Sequence, residues 1–452
     1  MKFKCSRCNE EYLEPKMKCS KCGGIIRVEN KLSWSIKNIR SIWRYEGMMP
    51  KLKRIISLNE GLTPLVKAVK PPRDFKGTLY FKDESRNPTG SFRDRAASPI
   101  ISHAYSLGVK RVICATDGNH GASIAAYASR CNIKCYAIVP SLVDPGKLGQ
   151  MITYGCEVEE YGVHLDDAID RALSISSRKG YYQATAELNP LSIEGLKTIS
   201  YEIYEDLGEA VDWIVIPTGS GLTLYSMYIG FKELKDLGVI DKIPRFLIVQ
   251  SLHSNPIVLS VEETTVKGKD TPIMGLNVLE PILLEEIVAV LKEVRGRGVI
   301  VTYSESLNAG RELASSEGLF VELAAAAGYA GFKKALSSEV IGFDENVVLV
   351  ITSSGLKAVE IYTQPARRRQ LLRFRGLDMK ASILELLKTH GPCHGYVIWK
   401  GLGEKISPQA IYQHLSELES LGLIYSEYIG RRKVFHLTKK GVMLLKLLEI
   451  KE

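Results

Sequence analysis

The apolar run Val347-Val348-Leu349-Val350-Ile351 is the clearest strand in the sequence and decides the fold class. It shows no alternation of polar and apolar residues, which is typical of a parallel strand buried on both faces. Amphipathic helices are predicted between such runs, for example over Ala122–Cys131, Asp166–Ser177 and Ile193–Leu207. Alternation of strands and helices from about 75 to 360 therefore predicts an α/β domain, with helices on both faces of largely parallel sheets. The other predicted strands are 111–116, 134–139, 213–217, 245–250 and 298–303.

Two close pairs of cysteines, Cys5 with Cys8 and Cys19 with Cys22, lie at the start of the chain. Thiolates two residues apart can turn toward one metal ion, and four sulfurs form a closed tetrahedral zinc site. The spacing predicts a zinc ribbon over residues 1–28 with a structural metal; an iron-bound knuckle and a metal-free remnant are the alternatives. The nine cysteines suit a reducing compartment better than a set of disulfides.

Bulk composition places the chain among ordinary globular proteins, with 452 residues, 45% hydrophobic and 25% charged. Two or three domains are expected at this length. No apolar stretch approaches the roughly 20 residues of a membrane span, and the first residues lack the apolar core of a signal peptide, so we expect a cytoplasmic protein.

Positive charge is concentrated at the end of the chain. The formal net charge is +9, and residues 361–452 hold 16 Lys+Arg against 8 Asp+Glu, a balance of +8. A basic terminal module suggests a polyanionic partner, although a solvated basic face is the alternative.

A small helix-rich module is predicted after the boundary near Pro365. One amphipathic helix is predicted over Met379–His390, a second over about His394–Leu402, and a third after Ser407-Pro408, where Ser can cap and Pro fits the first turn. A two-stranded hairpin with a basic tip follows. This order predicts a winged helix-turn-helix over 365–452.

Several strings in this module resemble those of PadR-like transcriptional regulators: Gly391-Pro392-Cys393-His394-Gly395-Tyr396, Ser407-Pro408-Gln409-Ala410-Ile411-Tyr412 and Leu437-Thr438-Lys439-Lys440-Gly441. The resemblance implies that the third helix enters the major groove of double-stranded DNA while the wing meets phosphate. Arg367–Arg369, Arg373 and Arg375 would follow the backbone or minor groove. A winged helix used for protein contacts is the alternative. The residues expected at DNA are Gln409, Tyr412, Gln413, Arg431, Arg432 and Lys433.

The body of the chain, over about 30–365, resembles threonine synthases, which are pyridoxal-phosphate (PLP) enzymes of fold type II, the tryptophan synthase β-like class. The resemblance implies a scaffold of parallel sheets flanked by helices in two subdomains, here over 29–364. The strings that carry it are Ser57–Leu65, Asn87-Pro88-Thr89-Gly90-Ser91-Phe92-Arg93, Asp117–Gly121, Glu194-Gly195-Leu196-Lys197-Thr198, Thr218-Gly219-Ser220-Gly221 and Thr352–Lys357.

Cofactor-binding roles follow from this resemblance. The glycine-rich loop Thr218-Gly219-Ser220-Gly221 would hold the cofactor phosphate at a helix N-terminus. Asn119 would contact the phenolic oxygen of the pyridine ring, and Thr352 the ring nitrogen. The alternatives are a connecting turn for the loop and a backbone-bonding side chain for Asn119.

Arg93 stands where the family has the lysine that forms an imine with the cofactor. A guanidinium stays protonated and offers no free amine lone pair for a carbonyl. Lys82, Lys197 and Lys357 lie on other family segments and are considered as substitutes. Arg93 could instead hold the anionic group of a non-covalently bound ligand.

Our leading interpretation is a ligand-sensing transcriptional regulator, a pseudoenzyme with no catalytic residue. Its body would bind PLP, an amino acid or a phosphorylated amino acid non-covalently, and a homodimer would bind a DNA palindrome. The alternative is a PLP-dependent threonine synthase, converting phosphohomoserine to threonine, or a related lyase, with an appended regulatory domain.

Overall fold

The computed structural model describes residues 1–266, 268–362, 377–403, 407–430, 432–442 and 445. The chain divides into two compact units, Met1–Ile361 and Tyr362–Glu452. Within the described residues, no helix is both long enough and apolar enough to cross a lipid bilayer.

The first unit alternates strands and helices along most of its length. Its strands are β1 (Phe3–Cys5), β2 (Glu11–Tyr12), β3 (Ile26–Val28), β4 (Leu65–Lys67), β5 (Leu79–Asp83), β6 (Arg111–Ala115), β7 (Lys134–Val139), β8 (Glu157–Glu160), β9 (Tyr182–Gln183), β10 (Trp213–Pro217), β11 (Arg245–Ser251), β12 (Arg297–Val301) and β13 (Val347–Ile351). Its α-helices are α1 (Arg93–Ser106), α2 (Asn119–Arg130), α3 (Pro145–Thr153), α4 (Leu165–Lys179), α5 (Leu191–Leu196), α6 (Thr198–Leu207), α7 (Leu222–Asp236), α8 (Pro256–Val261), α9 (Leu284–Glu293), α10 (Tyr303–Glu312) and α11 (Leu323–Ser337).

Two sheets form the body of this unit. The larger has the strand order β12-β11-β10-β13-β5-β4, in which only the edge pair β4–β5 is antiparallel. The smaller has the order β8-β7-β6-β9 and is parallel throughout. The fold type II scaffold of parallel sheets and helices is thereby confirmed, and all six predicted strands are present.

Both faces of β13 are buried, as its continuous apolar sequence predicts. Val348 and Val350 belong to one core cluster, which includes residues of α6 and α7. Val347, Leu349 and Ile351 belong to a second cluster, built largely on α11. Helices therefore cover the sheet on both sides, which explains why this strand needs no polar face.

The helix predicted over Ile193–Leu207 is instead two helices, α5 and α6, which meet at Lys197. There the Ser200 amide bonds the Lys197 carbonyl three residues back, so the chain tightens between the two α-helices. Helix α5 packs closely on α1 beside this boundary, since a Cβ at Gly195 would lie 1.8 Å from the Arg95 carbonyl oxygen. Helical periodicity alone does not reveal such a contact.

The cysteine-rich head forms a three-stranded antiparallel sheet with the order β2-β1-β3. Phe3, Ile26 and Val28 share a core cluster with residues of α1. The Phe3 ring meets the His103 ring edge-on, with their centroids 5.6 Å apart. The head is therefore packed against the body rather than tethered to it.

The second unit contains the three predicted helices, α12 (Leu377–His390), α13 (Gly395–Gly401) and α14 (Pro408–Ser420), and the two predicted hairpin strands, β15 (Ile424–Ile429) and β16 (Arg432–Leu437). It also contains a short strand that the sequence did not predict, β14 (Cys393–His394). Strands β14, β16 and β15 form an antiparallel sheet in that order. Ser407 Oγ caps α14 by accepting from the Ala410 amide at 3.2 Å. Ile411, Leu415 and Leu418 face the core of the unit. The predicted arm of Arg367–Arg369, Arg373 and Arg375 lies outside the described residues.

Candidate functional site

A small cavity lies where three strands end. It is lined by residues that follow β6, β10 and β13, the carboxyl ends at which open α/β sheets place their ligands. Its volume is about 40 Å³, room for a few water molecules in this conformation. Every predicted cofactor-binding residue lines it: Arg93, Asn119, Thr218, Gly219, Ser220, Gly221 and Thr352.

Arg93 opens α1 and is the cation of the cavity. Its Nη2 lies 3.3 Å from Glu187 Oε1, while its Nη1 is buried and has no hydrogen-bond partner in the described part of the chain. A buried, unpartnered donor of a charged group is costly unless an acceptor satisfies it. Arg93 therefore presents one nitrogen that a bound anion could satisfy.

Glu187 is a carboxylate that sequence reasoning missed. It lies in a short 3₁₀ helix, Ala186–Leu188, and is 5% exposed. Its Oε1 accepts from Arg93 Nη2 and, at 3.1 Å, from Ser220 Oγ. Glu187 thus bridges the cation of the cavity and the glycine-rich loop, so that an internal anion lies beside the predicted phosphate position. No motif in the sequence signals this contact.

The glycine-rich loop leads directly into the 15-residue helix α7, whose start receives no side-chain cap from the described residues. Uncapped N–H groups and the helix dipole favour an anion there. Thr218 does not turn its hydroxyl donor to the cavity, because Oγ1 donates to the Ile216 carbonyl at 2.8 Å. Gly221 has φ +80°, a backbone conformation that residues with a side chain rarely adopt, so the backbone favours glycine at this position.

Asn119 lines the cavity and contacts the buried carboxylate of Glu322. Asn119 Nδ2 donates to Glu322 Oε2 at 2.8 Å, while Asn119 Oδ1 is buried and finds no partner among the residues that the structure describes. Glu322 also accepts from Ser353 Oγ and Lys147 Nζ. Burial raises the pKa of Glu322, but the charge and hydrogen bond of Lys147 outweigh burial and lower it overall. Glu322 is therefore ionised, and Asn119 keeps one acceptor free for a ligand.

Burial and charge also shift the pKa values of two groups close to Asn119 in the sequence, Asp117 and His120. Burial raises the pKa of Asp117, against the opposing effect of Lys147. Burial, aided by the positive charge of Arg93, lowers the pKa of His120 to about 4. His120 is therefore neutral near pH 7, and its Nε2–H donates to the Ala184 carbonyl at 2.7 Å.

No lysine lines the cavity among the described residues. Lys147 lies near Asn119, but its ammonium pairs with Glu322 and Asp144. Burial lowers the pKa of Lys147, yet these two carboxylates outweigh burial and raise it overall. Lys147 is therefore protonated, which is the wrong state for attack on a carbonyl.

The three lysines considered as substitutes are engaged elsewhere. Lys82 Nζ pairs with Glu202, and Lys197 Nζ with Glu194 and Glu233. Lys357 Nζ donates to the Thr89 carbonyl and to Gln150 Oε1, each at 2.8 Å, and burial lowers its pKa to about 8.

The four cysteines of the head converge as predicted. Cys5 Sγ lies 3.5 Å from Cys22 Sγ, and Cys8 Sγ lies 3.6 Å from Cys19 Sγ. All four sulfurs lie within 4.8 Å of one another. A zinc ion bonded to four thiolates at about 2.3 Å places them about 3.8 Å apart, so the cluster could hold one.

The second unit carries the residues predicted to meet DNA. Gln409, Tyr412 and Gln413 are exposed on α14. Lys433 is already engaged, since its Nζ donates to Glu419 Oε2 at 3.1 Å. Arg431 and the side chain of Arg432 lie outside the described residues.

Comparisons with known proteins agree on the body of the chain. The family described as "Pyridoxal-phosphate dependent enzyme" matches residues 56–353. The threonine synthase of Methanocaldococcus jannaschii is 33% identical over 374 residues, covering 78% of this chain and 92% of the relative. The threonine synthase of Synechocystis is 36% identical over 310 residues, covering 67% of this chain and 78% of the relative.

Solved structures of low sequence identity share the fold. O-ureido-L-serine synthase matches with a TM-score of 0.55 at 21% identity, covering 68% of this chain and 93% of the other. Maize serine racemase matches with a TM-score of 0.56 at 17% identity, covering 68% of this chain and 92% of the other.

Proposed function

We propose, from the premise that this chain belongs to the family of pyridoxal-phosphate dependent enzymes, that its cavity binds an anionic ligand without forming an imine. The ligand class is PLP itself, an amino acid or a phosphorylated amino acid. The observation that carries the proposal is the buried Nη1 of Arg93, unpartnered within the described residues, in the cavity that the start of α7 also lines. Together they offer an anion both a charged donor and backbone N–H groups.

The residues present fit one half of the family's cofactor site and not the other. The loop Thr218–Gly221 and Arg93 could hold the phosphate, and Asn119 Oδ1 could accept from a donor group of the ligand. The imine half does not fit, because a guanidinium cannot form one and Lys147 is held as an ammonium by two carboxylates. We infer that Arg93 takes the place of the family's lysine, and that ligand binding is non-covalent.

A second candidate is threonine synthase activity itself, converting phosphohomoserine to threonine. The comparisons favour this candidate over a regulator, because threonine synthases match at 33–36% identity over most of their length. If this second candidate is correct, the chain must convert phosphohomoserine to threonine with Arg93 in place of the family's imine-forming lysine.

For the second unit we propose a winged helix-turn-helix that binds double-stranded DNA. Support comes from three helices and a hairpin in the expected order, from the exposed polar side chains of α14, and from the +8 balance of residues 361–452. If the first unit binds its ligand without converting it, the two units together would form a transcriptional regulator, which we propose to be a homodimer. Regulation requires the ligand to bind two DNA-affinity states differently.

One experiment separates the candidates for the body. PLP is added to the purified full-length protein, the mixture is reduced with borohydride, and peptides are mapped for a pyridoxyl-lysine. We expect cofactor binding without a stoichiometric modified lysine and without the violet absorbance of a protein imine. Arg93→Lys should gain both signals, because it supplies an amine at the cavity.

Two results would overturn the proposal. A single stoichiometric pyridoxyl-lysine in the unmodified chain, with turnover of phosphohomoserine, would establish the enzyme. Failure of the unmodified chain to bind PLP, amino acids or phosphohomoserine in calorimetry would exclude the ligand-binding body.

A further inference from the structure

Three cysteines outside the metal cluster lie together in the smaller sheet. Cys114 is in β6, Cys135 is in β7, and Cys156 immediately precedes β8; all three are buried. They belong neither to the cavity nor to the head. Of the three, Cys135 and Cys156 make the closest approach, with their Sγ atoms 2.8 Å apart.

This separation is short for two free thiols. In the cysteine head of the same chain, neighbouring sulfurs lie 3.5 and 3.6 Å apart. A disulfide bond is about 2.05 Å long, so Cys135 and Cys156 lie between van der Waals contact and a covalent bond. Only a small movement of either side chain is needed to join them.

The backbone also suits a disulfide. Strands β7 and β8 pair in parallel with Tyr136 opposite Glu157, so Cys135 and Cys156 are the preceding pair in the same register. Adjacent strands lie about 4.8 Å apart, within the range of Cα separations that disulfides span. The Cys156 amide is fixed by the Met151 carbonyl at 3.1 Å, which holds the end of α3 in place.

We propose that Cys135 and Cys156 are a disulfide-forming pair that ties the end of α3 to β7. The oxidant is a low-molecular-weight disulfide. A deprotonated Cys156 attacks one of its sulfurs and releases one thiol. Cys135 then loses its proton and attacks Cys156 Sγ, which releases the second thiol. Two electrons and two protons thereby pass to the small disulfide, and one sulfur–sulfur bond forms in the protein.

The order of attack follows from the surroundings of the two thiols, both of which are buried. Hydrogen bonds with Cys114 and Cys156, together with burial, raise the pKa of Cys135 well above its ordinary value. Cys135 is therefore the poorer first nucleophile and the second to react.

The bond would bear on the cavity through α3. This helix carries Lys147, which pairs with Glu322 beside Asn119, and Gln150, which holds Lys357. A link between Cys135 and Cys156 closes a loop of 22 residues around this helix. Fixing α3 would hold Glu322 and Asn119 in one arrangement.

The test uses the full-length protein incubated with oxidised glutathione, denatured, alkylated and mapped by mass spectrometry without reduction. We expect a peptide pair joined at Cys135 and Cys156, lighter than the free peptides by two hydrogen atoms. Closing a 22-residue loop in a unit of this size should raise the melting temperature by about 4 °C. Reduction should reverse the shift.

Variants make the assignment specific. Cys156→Ser should lose the joined peptide and the thermal shift. Cys131→Ser should keep both, because Cys131 Sγ donates to backbone carbonyls at the end of α2 and lies outside the cluster. If Cys156→Ser fails to fold, mapping of the unmodified chain still decides the matter. Finding both thiols alkylated after oxidation, or Cys135 joined to Cys114, would overturn the proposal.

Discussion

Replacing Glu187 by glutamine should tighten the binding of PLP and of inorganic phosphate. Glu187 Oε1 lies 3.1 Å from Ser220 Oγ, in the loop predicted to hold the ligand's phosphate. Glutamine keeps the shape of the side chain and an oxygen that accepts from Arg93 and Ser220. The substitution therefore removes a negative charge with little loss of packing.

The magnitude follows from the geometry. A phosphate oxygen bonded to the same loop would lie about 3 Å from its donors, which places the two anions roughly 6 Å apart. At an effective dielectric constant of about 20, repulsion at that distance is about 3 kcal/mol per unit of ligand charge. In the unmodified chain Arg93 can turn from Glu187 toward the phosphate, which already offsets part of this repulsion. We therefore expect Glu187→Gln to bind the ligand about ten- to a hundredfold more tightly.

Calorimetric titration of the unmodified chain and Glu187→Gln at low salt measures the effect. Glu160→Gln is the matched control, because it removes the same charge from an exposed residue of β8. An affinity that is unchanged in Glu187→Gln and in the control would refute the placement of the anion. Weaker binding would show that Glu187 contacts a positively charged group of the ligand instead.

Further predictions concern the metal, acid stability and DNA. Cys19→Ser should lose the single equivalent of zinc that elemental analysis is expected to find in the unmodified protein; absence of any metal there would refute the site. His120 has its pKa lowered from 6.5 to about 4, so it stabilises the fold above pH 6.5. That stability is lost as the pH falls toward 4, by up to about 3 kcal/mol, and His120→Gln should flatten the dependence seen in denaturant titrations. Replacing both Arg431 and Arg432 by alanine should weaken duplex DNA binding on all sequences and flatten its salt dependence in mobility-shift assays, whereas no binding at low salt by the unmodified chain would refute a DNA-binding unit.

The sequence predicted the scaffold well because its strands are continuous apolar runs. Because both faces of Val347–Ile351 are buried, the run contains no polar residue. The loops that follow such strands lie side by side and line the cavity. Local signals also sufficed for α14, where Ser407 caps the helix and Pro408 fits its first turn. These features depend on neighbours within a few residues.

The electrostatics of the cavity could not be predicted in the same way. Glu187 contacts Arg93 across 94 residues of sequence, and Lys147 pairs with Glu322 across 175. Nothing in the local pattern of Glu187, Lys147 or Glu322 distinguishes it from a solvated charge. The boundary between α5 and α6 at Lys197 was also missed, because the helical pattern of Ile193–Leu207 continues across it.

The unpartnered Nη1 of Arg93 supports a ligand at this cavity independently of the family resemblance. Among the described residues Glu187 pairs with Nη2 of the guanidinium, and leaving the buried Nη1 donor unsatisfied costs about 1–3 kcal/mol. Asn119 also lines the cavity, and its unpartnered Oδ1 has the complementary need, since it accepts where Arg93 donates. A ligand with an anionic group toward Arg93 and a donor toward Asn119 satisfies both atoms at once, and neither demand involves a lysine.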